Sequence, residues 1–163
     1  MLQLTQKEKQ LLQDQKTHEE VCIQKYQNNA QQASDPRLKQ LFQSYSQQEQ
    51  QHLNTINSIL SGQVPSMSQG QQSQQSQQFQ TNVQSTSQTQ SPTGLSAAGQ
   101  ADAMFCNDML MTEKYVSGAY NTAIFEFTDS GVRQALNHIQ KEEQQHGEGI
   151  FNYMNSQGMY NVK

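Results

Sequence analysis

The chain repeats itself at an offset of 94 residues without a gap, and this restricts its fold more than any other feature. The string Glu-Gln-Gln-His occurs at Glu49 to His52 and again at Glu143 to His146. At the same offset Asp14 matches Asp108, Glu19 matches Glu113, Tyr26 matches Tyr120, Asp35 matches Asp129, Gln40 matches Gln134 and Ile56 matches Ile150. Two copies of one helix-pair unit account for this pattern. Residues three apart share a helix face, so the Glu and His of each string point together.

The spacing of apolar residues predicts four helices. The first runs from about Thr5 to Ala33, with Leu11, Leu12, Gln15, Glu19, Cys22, Ile23, Tyr26, Ala30 and Ala33 on one stripe. Ser34-Asp35-Pro36 makes the turn, Asp35 as N-cap and Pro36 as first helical residue. The second helix then carries Leu38, Leu41, Phe42, Tyr45, Glu49, His52, Leu53, Ile56 and Leu60 inward and stops at Gly62. The third, from Ser96 or Asp102 to Phe127, presents Phe105, Met109, Glu113, Val116, Tyr120, Ala123, Ile124 and Phe127. After Thr128-Asp129-Ser130 the fourth presents Val132, Leu136, Ile139, Glu143, His146, Ile150 and Met154, ending at Gly158.

Between the two units, Gln63 to Gln100 is mostly Gln, Ser and Thr, broken by Pro65, Gly70, Pro92 and Gly94. Such a tract buries too little to offset its ordering entropy and is expected to be a flexible spacer, with an adhesive or cross-linkable surface as the sharper alternative. The expected organisation is a first hairpin over 1–62, a linker over 63–95 and a second hairpin over 96–163, the hairpins forming one domain. Two short-turned hairpins with one long connection fit an all-α, ferritin-like four-helix bundle with a crossover.

Several function classes are excluded by composition. The net charge is −4 and the Lys and Arg residues are scattered singly, which argues against nucleic acid as a partner. No apolar run reaches the roughly 18 residues of a membrane span, and Lys7, Glu8 and Lys9 stand where a secretory signal needs apolar residues, so synthesis is expected in the cytoplasm. Cys22 and Cys106 are isolated and are read as buried thiols.

Glu19, Glu49, His52, Glu113, Glu143 and His146 all fall on the buried stripes. Four unpaired carboxylates in a core cost several kcal/mol each, so something must compensate. Two divalent cations would, since four carboxylates balance their charge and the imidazoles stay neutral. One Glu from each of two helices with Glu-x-x-His from each of the other two is the layout of di-iron and di-manganese carboxylate bundles. Iron or manganese is expected first, and zinc also fits. The alternative is a hydrated polar core with raised carboxylate pKa values. Glu20 aligns with Lys114, which favours Glu19 as the ligand; Glu142 is expected off the core, Glu126 on an edge, and His18 and His138 at the surface. Tyr26 and Tyr120, two turns beyond their Glu partners on the same face, are read as aromatic filling, with a redox role or support of the site as the alternative.

The stretch Asn107-Asp108-Met109-Leu110-Met111-Thr112-Glu113-Lys114-Tyr115, then Tyr120-Asn121-Thr122-Ala123 and the ending Phe151 to Tyr160, resembles the Coat F family of spore coat proteins from endospore-forming Firmicutes. The resemblance covers about residues 100 to 160, with Arg133 and Glu143-x-x-His146, and more faintly 4 to 60. Met159 stands where that family usually has Trp. The Glu-x-x-His pairs also resemble rubrerythrin and manganese catalase, although Val116 replaces a further carboxylate common in rubrerythrin-like helices. The Coat F resemblance implies synthesis in the mother cell, a spore-coat location, other coat proteins as partners and room for a homo-oligomer. The function expected first is a coat structural or assembly protein with a di-metal site. The alternatives are an oxidoreductase acting on oxygen or peroxide, and a metal store.

Overall fold

A computed structural model describes residues 2–65 and 94–160. The expected linker lies mostly outside the described residues. Among the described residues all regular structure is helical, in four elements: α1 (Gln6–Gln32), α2 (Pro36–Leu60), α3 (Ala97–Glu126) and α4 (Ser130–Ser156).

Each helix starts where its sequence supplies an acceptor for the free N–H groups of the first turn. Thr5 and Glu8 form a reciprocal capping box on α1. Asp35 caps α2 through the Arg37 amide with Pro36 behind it, Ser96 caps α3 through Gly99, and Asp129 caps α4 through Val132. Gly62 and Gly158 end α2 and α4 with φ of 87° and 67°, a left-handed conformation that glycine adopts without a Cβ clash.

α1 packs on α2 and α3 on α4, and contacts of α1 with α3 and of α2 with α4 close the ring. Every adjacent pair is antiparallel. Lys7 meets Glu126 and Lys25 meets Asp108 across α1 and α3, while His52 meets Glu143 and His146 meets Glu49 across α2 and α4. The α1–α2 turn therefore sits beside the start of α3, where Asp102 accepts from the amides of Ser34 and Asp35. The end of α2 lies at the other end of the molecule, where Val64 stands against Gly131 at the start of α4. The end of α2 and the start of α3 consequently lie at opposite ends of the four helices.

Two apolar clusters fill the interior. Leu12, Ile56, Ile59, Phe127, Val132 and Leu136 belong to one, and Ala30, Leu38, Phe42, Met109, Ile150 and Met154 to the other. On α2, α3 and α4 the Glu and His residues of interest fall between them. The inward stripes contain further polar members that apolar spacing does not reveal: Glu8, Asn29, Ser46 and Asp102 are buried, while Leu41, Tyr45, Leu53 and Leu60 are only half-buried.

Candidate metal centre

All four helices contribute to one buried polar layer. Glu19 comes from α1, Glu49 and His52 from α2, Glu113 from α3, and Glu143 and His146 from α4, none more than 2% exposed. The intervening Gln50, Gln51, Gln144 and Gln145 point outward and are exposed. Ligand atoms of Glu19, Glu49, His52 and Glu143 lie within 4.8 Å of one another, and so do those of Glu49, Glu113, Glu143 and His146. Glu49 and Glu143 belong to both groups, whereas Glu19 and Glu113 each belong to one. Each group could hold a metal ion, and the two groups share Glu49 and Glu143.

The histidines face the layer through Nδ1. That atom of His52 lies 3.1 Å from Glu143 and 3.2 Å from Glu49, and that of His146 lies 3.0 Å from Glu49. Their outer Nε2 atoms are held at 2.7 Å by Glu142 for His52 and at 2.9 Å by Gln48 for His146. An Nε2–H that donates outward leaves the Nδ1 lone pair of a neutral imidazole aimed at the centre, which is how an outer acceptor prepares a histidine ligand. Glu142, expected off the core, is thus half-buried and engaged. Its pairing with Gln48 at the repeat offset was visible; that both residues reach across to the opposite hairpin's histidine depends on α2 running antiparallel to α4.

For the tyrosines both readings hold. The Tyr26 hydroxyl donates to Glu113 and the Tyr120 hydroxyl to Glu19, so each fills core space and also fixes a carboxyl group of the other hairpin. Tyr45 stacks on His146 with ring centroids 4.2 Å apart.

Burial holds Glu19 and Glu113 well above the usual carboxylate range, with Glu143 adding to the effect. For Glu49 and Glu143 burial also opposes the charge, but hydrogen bonds from His146 and His52 outweigh it and lower both. The histidines are raised, because contacts with Glu142 and the site carboxylates overcome the burial that disfavours their charge. Carboxyl groups and imidazoles thus offset part of one another's burial within the layer. Its hydrogen bonding is incomplete. Glu19 Oε2, Glu113 Oε2 and Glu143 Oε2 are buried without a partner, and an unmatched buried carboxylate oxygen is costly. Carboxylate oxygens and imidazole nitrogens grouped in this way are donors of the kind that can hold a divalent metal ion.

An open groove of about 520 Å³ between α3 and α4 reaches this layer, with Glu113 and Glu143 among its lining residues. His138 and Glu20 are exposed, His18 packs edge-on against Tyr115, and Glu126 pairs with Lys7 at the surface. Cys22 and Cys106 are buried free thiols; burial pushes the Cys106 thiol up to about 12.

Residues 101–163 match the Coat F domain, a stretch that contains Glu113, Glu143 and His146. YusN of Bacillus subtilis (strain 168), described as an uncharacterized protein, is 34% identical over 79 residues, which cover 48% of this chain and 69% of YusN. The chain belongs to the Coat F family. Its Coat F domain supports a spore-coat location. No solved structure matches this Coat F chain. Among its described residues no helix is long and apolar enough to cross a membrane.

Proposed function

We propose that this Coat F protein is a structural or assembly component of the spore coat whose ferritin-like bundle holds two divalent metal ions, iron or manganese in first place. The ferritin-like reading is supported by the opposite placement of the end of α2 and the start of α3, which requires a long crossover over residues 63–95 and joins the two hairpins into one domain. Glu49, Glu143, Glu19, Glu113, His52 and His146 would be the ligands. The observation that carries the metal reading is the membership of Glu49 and Glu143 in both four-residue groups. Metal analysis of protein purified without chelator tests it. About two equivalents are expected, with equal loss in Glu49→Ala and Glu143→Ala; less than one equivalent after reconstitution with iron, manganese or zinc sinks it.

Coat assembly needs an outward contact surface. α3 supplies Met104, Met111 and Tyr115 on one face, 71%, 67% and 68% exposed, where α1 has Gln10, Thr17 and Val21. Another coat protein is the partner we assign to it. Met111→Gln with Tyr115→Gln should reduce incorporation of the protein into spore coats without changing its melting temperature. Unchanged incorporation removes α3 from the contact.

The groove that reaches Glu113 and Glu143 favours a second reading, an oxidoreductase acting on oxygen or peroxide. Bound iron or manganese would supply the redox chemistry. Peroxide consumption by metal-loaded protein that does not exceed free metal would leave storage or a structural role.

A further inference from the structure

We propose that the α3–α4 groove is a one-sided port that brings a small anion to the metal position held by Glu113 and His146, and not to the one held by Glu19 and His52. The proposal rests on the metal reading above. The groove exists because three of its lining positions are small: Ser117, Gly118 and Gly147. At the repeat offset the first hairpin has Ile23, Gln24 and Leu53 instead, a larger side chain at each place. The ligand shell is duplicated while the wall in front of it is not. A Cβ on Gly118 would meet nothing within 4 Å, and one on Gly147 would meet Leu110 at 3.7 Å and Glu113 at 3.9 Å, ordinary contact distances. Neither glycine is demanded by local packing, so the open space is available to a ligand.

The wall also indicates which ligand. Lys114, Asn121, Gln140 and Gln144 line the groove, and among the described residues its only carboxylates are Glu113 and Glu143, which belong to the centre itself. The first hairpin has Glu20 where Lys114 stands. A lysine and a set of amides attract and hydrogen-bond an anion, while a path for cations would be lined by carboxylates. The inequivalence of the two sides thus falls on charge as well as on size.

Azide binding to protein loaded with cobalt(II) tests this, read from the visible absorption of the cobalt after metal content has been measured. One azide per chain is expected. Gly147→Leu should retain two cobalt ions and weaken azide at least tenfold. Ser117→Ile, which copies the first hairpin at another wall position, should do the same and stands in if Gly147→Leu does not fold. Ile23→Ser with Leu53→Gly should admit a second azide. Retained cobalt with unchanged azide affinity in Gly147→Leu or Ser117→Ile overturns the port, as do two azides on the unaltered protein. Failure to bind cobalt overturns the metal reading, and this proposal falls with it.

Discussion

Glu142 shows how much one residue outside the ligand set can matter. It accepts from His52 Nε2 at 2.7 Å and is flanked by His138 at 3.4 Å, while its counterpart Gln48 offers His146 only a neutral oxygen. A carboxylate partner makes an imidazole a stronger ligand, and loss of such partners usually costs about 10–100-fold in metal affinity. Glu142→Ala should therefore weaken metal binding by roughly that factor in competition against a chelating dye. Gln48→Ala should cost less, and equal effects would show that charge at Glu142 is irrelevant. Gly149 is a second sensitive residue. A methyl group there would collide with the Tyr45 hydroxyl, and Tyr45 is stacked on His146. Alanine gains up to about 1 kcal/mol over glycine in a helix, but overpacking costs about 1–3 kcal/mol, so Gly149→Ala should lower stability in urea titration. The six residues of the buried layer were legible because the repeat doubles their spacing. Glu142, Gln48 and the tyrosine hydrogen bonds were not, because their partners lie on another helix and no periodicity within one helix encodes that pairing.

At the level of elements, the caps and glycine stops placed the helix ends within about a residue of the sequence expectation, except at the start of α3, where Ser96 and Asp102 were both candidates and Ser96 is the cap; Thr5, Asp35, Ser96, Asp129, Gly62 and Gly158 act through local backbone groups. The devices that fasten one hairpin to the other were invisible there. Glu8 accepts from the amide and hydroxyl of Thr128 beyond α3, and Asp102, its match at the repeat offset, accepts from the amides of Ser34 and Asp35 beyond α1. Asp102→Ala removes both acceptors and leaves partly buried N–H groups unmatched, which should cost about 1–3 kcal/mol in chemical denaturation. A negligible effect would mean that the turn finds other partners. Asp35 makes the same turn sensitive to acid. Hydrogen bonds from the Arg37 guanidinium, with help from the Arg37 amide and Tyr153, hold its carboxyl near a pKa of about 2, below the ordinary 3.8. A depressed folded-state pKa contributes stability that is complete above the unfolded value and is lost as pH falls through the folded one. The stability gap between the native protein and Asp35→Asn, which keeps an N-cap but not the charge, should be constant above about pH 4 and close between 3.8 and 2. A gap independent of pH would remove the charge from the account.

Across the whole molecule the polar layer is the costly part, because it buries four carboxyl groups in a core otherwise made of two apolar clusters. Three oxygens without partners show that side chains alone do not satisfy it. A ligand that binds only the folded state adds stability as its concentration exceeds its dissociation constant, about 2.7 kcal/mol at a hundredfold excess. For a chain of this size that corresponds to a melting temperature higher by about 5–10 °C. Manganese or iron(II) added to chelator-treated protein should produce a rise of this order, reversed by chelator. Glu49→Gln combined with Glu143→Gln keeps the shape of the two side chains common to both four-residue groups and removes their charges, so the rise should vanish. A rise of equal size in that variant would place the stabilising ion elsewhere on the protein, and no rise in the native protein would leave the hydrogen-bonded polar core as the correct account of all six residues.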